Sequence, residues 1–357
     1  MTRPDTQSAS PRPRSEICPK LAVVISCYNY ESFVERAIQS VLSQARDDCE
    51  VVVVDDGSTD GSWDVISRSG VTAFRIENSG ARLACLFGFD RTRAPFVLFL
   101  DADDELKPGA LGMIIDRLDP GVAKLQFPLT RIDADGNVIS GAVPALETFR
   151  GRDVLARRVL KSSVYKSPPT SGNVFRRDLC ELLREADYDK FVDGVILFAA
   201  PFLGDVVSVS EELGCYRIHG RNDSGLGRMP DAGSLERDIN RFLARMEHLR
   251  TILQRLEPDQ ELVDPRDTFY FREQRFHLQV ASGQRPRLTA LPGLVAKLLG
   301  QPVSVKNKVA MGVYFILASV LPNNRGKALL AYRLKTGQRT ALGFAKEIFA
   351  RRAPLQN

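Results

Sequence analysis

The sequence FVLFLDADDE, residues 96–105, joins five apolar residues to four acidic side chains within five positions. The apolar part is long enough for one buried β-strand. Carboxylates this close repel one another, and each raises the free-energy cost of ionising its neighbours. A divalent cation bound to a diphosphate removes this repulsion, and hard oxygen ligands suit Mg²⁺ or Mn²⁺. The stretch therefore predicts a buried strand that ends at a cation site.

Apolar runs and amphipathic segments alternate around this stretch. Their order predicts an α/β fold with a doubly wound, mostly parallel, Rossmann-like sheet. Ligands bind beyond the C-terminal ends of such strands, so we expect Asn29, Asp56 and Asp103 to meet in one crevice. The predicted strands are 21–26, 51–54, 71–76 and 96–100, and the predicted helices are 32–43, 62–68 and 81–91. Ser32 and Glu35 have the spacing of a helix capping box.

Composition divides the chain into three parts. Residues 1–19 are rich in Pro, Arg and Ser and lack the apolar centre of a signal peptide, which predicts a disordered lead-in. Residues 20–228 form the predicted α/β domain, and residues 229–357 form a helical C-terminal region. The six scattered cysteines contain no C-x-x-C pair and indicate reduced thiols in a cytoplasmic protein. The longest apolar run, 309–321, is shorter than the roughly 20 residues that span a bilayer.

Basic residues are concentrated at the C-terminal end. The chain carries a net charge of +5, yet residues 297–357 hold 11 Lys or Arg and one acid, Glu347. Between Arg325 and Arg352 the basic residues alternate with apolar ones. One interpretation is an amphipathic region in peripheral contact with an anionic membrane. The other is a helical subdomain with a solvated basic face. The sequence has no recognisable RNA or DNA module, so we expect no nucleic-acid partner.

Nucleotide-binding motifs narrow the choice of function. The sequence contains neither the P-loop G-x-x-x-x-G-K-[ST] nor G-x-G-x-x-G, which argues against a Walker NTPase or a standard dinucleotide-binding protein. Without a glycine loop, a bound diphosphate needs another source of positive charge. Asp101 and Asp103 with a metal ion would provide it.

Four segments in order carry a resemblance to a known family. They are SCYN (26–29), VVDDGSTDGS (53–62), FLDADD (99–104) and YRIHGRNDS (216–224). Together they span residues 21–224, and the chain resembles family-2 glycosyltransferases of the GT-A fold. The resemblance implies an inverting, metal-dependent enzyme that uses a nucleotide-diphosphate sugar, most often a UDP-sugar, with Mn²⁺ or Mg²⁺ as cofactor.

The resemblance also assigns a donor pocket. Asp56 would contact the nucleotide base, since a carboxylate can accept the imide N–H of uracil, although an Asp in such a turn often serves only the turn. The other residues expected to bind the donor nucleotide are Ser26, Tyr28, Asn29 and Asp55. For Tyr28, simple packing is an equal alternative.

The acidic stretch would bind the diphosphate end of the donor through a metal ion. The resemblance implies that Asp101 meets the ribose or the metal and that Asp103 binds the metal, while Asp104 is ambiguous. His219 would complete the metal or diphosphate contacts, or be a packed structural residue. Arg217 would hold phosphate through its two-pronged guanidinium, or pair with a surface acid.

A carboxylate is also needed to accept the proton of the acceptor hydroxyl. Asp193, 90 residues beyond Asp103, matches the general base of the family, and Asp187 and Asp189 are competitors. Asp193 could equally cap the helix that follows. Direct displacement by the deprotonated hydroxyl would invert the anomeric carbon.

The chain departs from the family pattern at two places. Cys85-Leu86 stand where relatives often have Arg-Asn, and Arg82 is expected to replace that donor contact. The processive-synthase motif Q-x-x-R-W is absent because the only tryptophan is Trp63, which favours single transfers. The implied acceptor is a surface glycan, an exopolysaccharide or a lipid-linked sugar. A non-catalytic nucleotide-sugar-binding or scaffold protein is the alternative, and the missing Arg-Asn pair favours it.

Overall fold

The computed structural model describes residues 18–142, 144–220, 222 and 231–334. Most of the predicted lead-in, residues 1–17, and the last part of the basic region, residues 335–357, lie outside the described residues. In chain order the described strands are β1 (Leu21–Cys27), β2 (Cys49–Asp55), β3 (Thr72–Arg75), β4 (Phe96–Asp101), β5 (Glu105–Leu106), β6 (Val122–Gln126), β7 (Leu129–Ile132), β8 (Val138–Ser140), β9 (Phe149–Gly151), β10 (Asn173–Arg176), β11 (Asp205–Ser208) and β12 (Gly214–Arg217).

Helices connect and cover these strands. The described α-helices are α1 (Val34–Leu42), α2 (Ser62–Arg68), α3 (Ala81–Phe89), α4 (Ala110–Ile115), α5 (Asp153–Ser162), α6 (Arg177–Glu181), α7 (Val195–Leu203), α8 (Ala232–Leu256), α9 (Phe269–Ala281), α10 (Leu291–Leu299), α11 (Val305–Val320) and α12 (Asn323–Leu334). Each of the four predicted strands and three predicted helices is present. Helix α1 begins later than predicted, because the Tyr30 carbonyl accepts the Phe33 and Val34 N–H groups and the Ser32–Glu35 capping box does not form.

The larger sheet has the strand order β3-β2-β1-β4-β10-β6-β11-β9 within the described chain. Its first four strands run parallel, whereas β10 inserts antiparallel between β4 and β6. A smaller sheet, β5-β12-β7-β8, lies beside it. The prediction of a Rossmann-like, mostly parallel α/β sheet with a C-terminal helical region is confirmed.

Strand β1 lies at the centre of the parallel part, and its first five residues are fully buried. Its register pairs Ser26 with Asp101 on β4, and Cys27 with Asp55 on β2. The carboxyl ends of three strands therefore finish at the same edge of the sheet. Parallel pairing thus brings motif residues that are far apart in sequence to one place.

The C-terminal helices divide between two cores. Helix α8 packs its apolar face, which includes Phe242, Met246 and Leu249, into the core that also contains α7. Helices α9–α12 surround a separate apolar cluster centred on Phe315. No helix among the described residues combines the length and apolar character needed to cross a membrane. The boundary near residue 229 remains a prediction, since α8 shares the core of the sheet domain.

Candidate active site

A large cavity, about 1090 Å³ in volume, opens at the carboxyl edge of the parallel strands. Seven of the eleven predicted site residues line it, and the other four lie behind its wall or away from it. The lining residues are Ser26, Tyr28, Asn29, Asp56, Asp101, Asp103 and Asp193. The four that do not line it are Asp55, Arg82, Arg217 and His219. The structure therefore brings together most of the expected site.

Asp56 lines the cavity and also holds one of its loops. Its Oδ1 accepts the Ser79 N–H at 2.7 Å, and its Oδ2 accepts the Gly80 N–H at 2.8 Å. Gly80 has a φ of +91°, a conformation that favours glycine. Oδ1 also accepts the Ser79 hydroxyl at 3.0 Å, whereas Oδ2 keeps a further lone pair, so the structural role and a contact with a nucleotide base are compatible.

Asn29 joins the loops after β1 and β2. Its backbone adopts a φ of +59°, its N–H donates to Ser58 Oγ at 3.0 Å, and its Oδ1 accepts the Thr59 N–H at 2.8 Å. Tyr28 beside it is 45% exposed, so it is a wall residue and not a core residue. Asp55 is fully buried instead. It pairs with Arg75 at 3.2 Å and therefore supports this loop from behind.

The acidic stretch forms a tight group after β4. One carboxylate oxygen from each of Asp101, Asp103 and Asp104 lies within 4.8 Å of the others. Asp104 is fully buried; its Oδ2 accepts the Ser171 hydroxyl at 2.6 Å and its Oδ1 accepts the Arg217 N–H at 2.9 Å. Burial, with the neighbouring Asp103 and Asp101 charges, raises the pKa of Asp104 well above its usual range. Asp101 and Asp103 are therefore the two carboxylates presented to the cavity.

His219 lies next to Asp103 but not in the cavity wall. Its Nε2 and Asp103 Oδ2 share a hydrogen bond of 2.8 Å, and its ring stacks on Phe33 with centroids 4.8 Å apart. The Asn222 side-chain amide donates to the same oxygen at 3.3 Å. His219 and Asn222 thus fix the orientation of the Asp103 carboxylate.

Arg217 is placed differently from the expectation that it holds phosphate. Its side chain has no exposed surface and does not line the cavity. Nε donates to the Asp103 carbonyl at 2.9 Å, and Nη1 donates to the Asp133 carbonyl at 3.0 Å. Nη2 bonds the Glu105 carboxylate. The N–H groups of the Arg217 guanidinium are directed at protein acceptors and hold the acidic loop in place. In this arrangement the side chain does not reach a nucleotide-sugar in the cavity.

Arg82 and the unusual Cys85-Leu86 pair also face the protein. Arg82 donates to the carbonyls of Asp189 and Leu183 at 3.0 and 2.9 Å and does not line the cavity. Cys85 and Leu86 are buried in the main core. The structure therefore does not show Arg82 replacing a donor contact. Cys85 and Leu86, which differ from the family pattern, pack α3 against the core.

Asp193 lies in the cavity wall just before α7. Burial raises its pKa above the ordinary value of 3.8, Arg245 opposes this shift, and the Thr170 hydroxyl donates a hydrogen bond. The helix-cap alternative is not observed, because Gly194 occupies the cap position. Of the three candidate carboxylates, all of them within the described chain, Asp193 alone lines the cavity. Asp187 is exposed elsewhere, and Asp189 is buried and bonded to Arg245.

Helix α8 supplies part of the wall that the sequence did not reveal. Asp238, Arg241, Phe242 and Arg245 line the cavity, together with Tyr270 on α9. The i, i+4 spacing of the two arginines was the available signal, but it is also typical of a solvated helix face.

A buried lysine lies behind the cavity wall. Lys124 Nζ donates to Gln126 Oε1 at 2.9 Å and to Ser167 Oγ at 2.8 Å, and contacts the Tyr165 hydroxyl at 3.2 Å. Burial lowers the pKa of Lys124 well below 10.5. Tyr165 and Ser167 both line the cavity, so this network supports its wall.

Comparisons with known proteins agree with this architecture. The family described as "Glycosyl transferase family 2" matches residues 22–164. An uncharacterized glycosyltransferase of Nostoc sp. is 36% identical over 215 residues, which is 57% of this chain and 66% of that protein. A GalNAc(5)-diNAcBac-PP-undecaprenol beta-1,3-glucosyltransferase of Campylobacter jejuni is 32% identical over 127 residues, 34% of this chain and 41% of that protein. This chain thus spans less than two thirds of either relative.

Among solved structures, S. aureus TarS residues 1–349 in complex with UDP superposes with a TM-score of 0.50. The alignment covers 88% of this chain and 86% of that chain at 16% sequence identity. At this identity the likeness shows the fold alone.

Proposed function

Because this chain belongs to glycosyl transferase family 2, we propose that it transfers a sugar from a nucleotide-diphosphate donor, with UDP as the nucleotide, to an acceptor hydroxyl. The observation that carries the proposal is one cavity with two separate acidic groups. Asp101 and Asp103 lie at the strand ends, and Asp193 lies before α7. A donor diphosphate at the first group and an acceptor hydroxyl at the second would meet inside this cavity.

A divalent cation, Mn²⁺ or Mg²⁺, fits the first group. The available ligands are carboxylate oxygens, which such hard cations prefer, and they are already within 4.8 Å of one another. Since Asp104 is fully buried and its oxygens already accept the Ser171 hydroxyl and the Arg217 N–H, Asp101 and Asp103, which line the cavity, would hold the ion, with His219 orienting Asp103. When bound, the cation supplies charge stabilisation to the departing diphosphate.

Asp193 is proposed as the general base. It accepts the proton of the acceptor hydroxyl, and the oxygen then attacks the anomeric carbon as the bond to the diphosphate breaks. The attack comes from the face opposite the leaving group, so the configuration inverts. Partial burial keeps water away from the carboxylate, and its raised pKa makes it a stronger base than an exposed aspartate.

The acceptor is proposed to be a surface glycan, an exopolysaccharide or a lipid-linked sugar. The name of the Campylobacter relative specifies an undecaprenol-linked glycan, which supports the lipid-linked class. Arg241 and Arg245 on α8 line the cavity on the side of Asp193 and would contact such an acceptor. The proposed location is cytoplasmic, peripheral to the inner face of the cell membrane.

The release of UDP from a panel of UDP-sugars in the presence of Mn²⁺ tests the proposal. We expect Asp193→Asn to abolish transfer while it leaves UDP affinity nearly unchanged, and Asp187→Asn, its matched control, to retain activity. Asp103→Asn should remove the Mn²⁺ dependence of UDP binding. A wild-type protein that binds UDP but releases none from any of these sugars would instead be a non-catalytic binding protein. In this chain residues 85–86 belong to the core packing of α3, so UDP release and not their identity distinguishes the two functions.

A further inference from the structure

Helix α11 exposes an apolar stripe on the side opposite its core contacts. Tyr314, Phe315 and Ala318 are buried among α9, α10 and α12. The stripe residues are separated by four, four, three and four positions, so they share one helix face. They are between 43% and 77% exposed and are Val305, Val309, Val313, Ile316 and Val320. A helix that is apolar on two opposite faces normally has both faces covered.

The segment just before α11 extends the same surface. Leu299 is 61% exposed and Val303 is 41% exposed. With 16 residues α11 is too short to span a bilayer, so a membrane could only receive this stripe from the side. We call these seven residues together the α11 surface.

The sequence on both sides of the α11 surface is basic. Residues 274–334 contain nine Lys or Arg and not one Asp or Glu. Arg333 and Lys297 pair with Glu273 and Asp267, while Lys306 on α11 itself is exposed. The nine are Arg275, Arg285, Arg287, Lys297, Lys306, Lys308, Arg325, Lys327 and Arg333.

From this combination we infer that the α11 surface docks onto an anionic lipid surface, with α11 lying in the plane of the interface. Aliphatic side chains would enter the boundary between headgroups and acyl chains, and Lys306 and Lys308 on the same helix would meet anionic headgroups. A second copy of the chain fits less well, because a symmetric contact would bring the same basic residues together. The inference rests on the proposed peripheral location and names the surface that would meet the membrane, but it depends only on exposure and charge and not on the catalytic assignment.

Flotation of the full-length protein with lipid vesicles tests the inference, without donor or metal. We expect binding to vesicles that contain phosphatidylglycerol and much weaker binding to pure phosphatidylcholine. Val309→Asp and Ile316→Asp should each reduce binding about tenfold or more, because a charge enters the apolar layer. Val154→Asp on α5 is the matched control, since Val154 is also strongly exposed, and it should bind like wild type. Circular dichroism confirms that each variant is folded.

Three results would overturn the inference. Equal binding by the α11 variants and the control would place the lipid contact elsewhere in the chain. Concentration-dependent self-association that Val309→Asp abolishes, without lipid binding, would make the α11 surface a contact between copies. A wild-type protein that neither binds vesicles nor self-associates would leave the surface without lipid affinity. UDP release by the same variants in lipid-free solution separates these results from a failure of the proposed catalysis.

Discussion

Replacing Arg217 with methionine tests whether this residue supports the acidic loop or binds the donor. The guanidinium is fully buried and donates to the carbonyls of Asp103, Asp133 and Ala134 and to the Glu105 carboxylate. Methionine fills much of the same space but leaves these acceptors without a donor. The loop that presents Asp101 and Asp103 would lose its main support.

The magnitude follows from the partners that are left behind. Removing one member of a buried ion pair typically costs about 3–5 kcal/mol. The Glu105 side chain is 29% exposed and regains some water, so we expect a value near the lower end, about 3 kcal/mol. Arg217→Lys keeps the charge, but one ammonium cannot reach acceptors that are spread around a planar fork. We expect it to lose about 1–2 kcal/mol.

Urea unfolding without nucleotide or metal measures the effect, with Arg68→Met on the exposed face of α2 as the control. A supporting role predicts lower unfolding free energies for both Arg217 variants and no change for the control. If Arg217→Met unfolds within about 1 kcal/mol of wild type but loses UDP affinity, Arg217 contacts the donor and the role derived above is wrong.

Three further predictions follow from other parts of the site and core. The rate of transfer should fall on the acid side of its pH profile at a pH above 3.8, because Asp193 must be deprotonated and burial raises its pKa. Arg245 opposes that shift, so Arg245→Gln should move the acid side of the profile to higher pH. An unchanged profile would argue against Asp193 as the base. Gly88→Ala should lower the unfolding free energy by about 1–3 kcal/mol, because an added Cβ would lie 2.5 Å from Val24 Cγ1; an unchanged urea midpoint would contradict this packing. Burial keeps Lys124 neutral in the folded protein at pH values where the unfolded chain binds its proton. The unfolding free energy of wild type should therefore rise with pH toward 10.5 more steeply than that of Lys124→Met. Parallel curves for the two proteins would show that burial does not shift the pKa of Lys124.

The sequence was sufficient for the parallel half of the sheet and for the residues at its edge. Strands β1, β2 and β4 each contain an apolar run that ends in a polar motif, so their carboxyl ends and the residues that follow could be placed together. Asn29, Asp56 and Asp103 follow from this rule alone. The family resemblance predicted Asp193 as a site residue, and in the structure Asp193 lines the cavity.

The parts of the fold and site that the sequence did not predict depend on contacts between segments that are distant in sequence. Strand β10 inserts antiparallel between β4 and β6, and no local pattern distinguishes such an insertion from a parallel strand. The α8 arginines line the cavity because α8 packs on α7, an arrangement that periodicity does not encode. Arg217 occupies a motif position, but the direction of its side chain depends on carbonyls 84 and 114 residues away.

The four acidic residues at the end of β4 and just after it have different environments, and this difference determines how many can hold a metal ion. Arg217 bonds Glu105, while Ser171 and the Arg217 N–H satisfy Asp104. The protein itself therefore supplies partners for Glu105 and Asp104, and Asp101 and Asp103 are the two carboxylates of this stretch that line the cavity. Two available carboxylates suit a cation that also binds substrate phosphates, and they are too few for a cation held by protein alone. Mn²⁺ should accordingly bind much more tightly in the presence of UDP than in its absence, which calorimetry with and without the nucleotide can measure; equal affinities would mean that Asp104 also serves as a ligand.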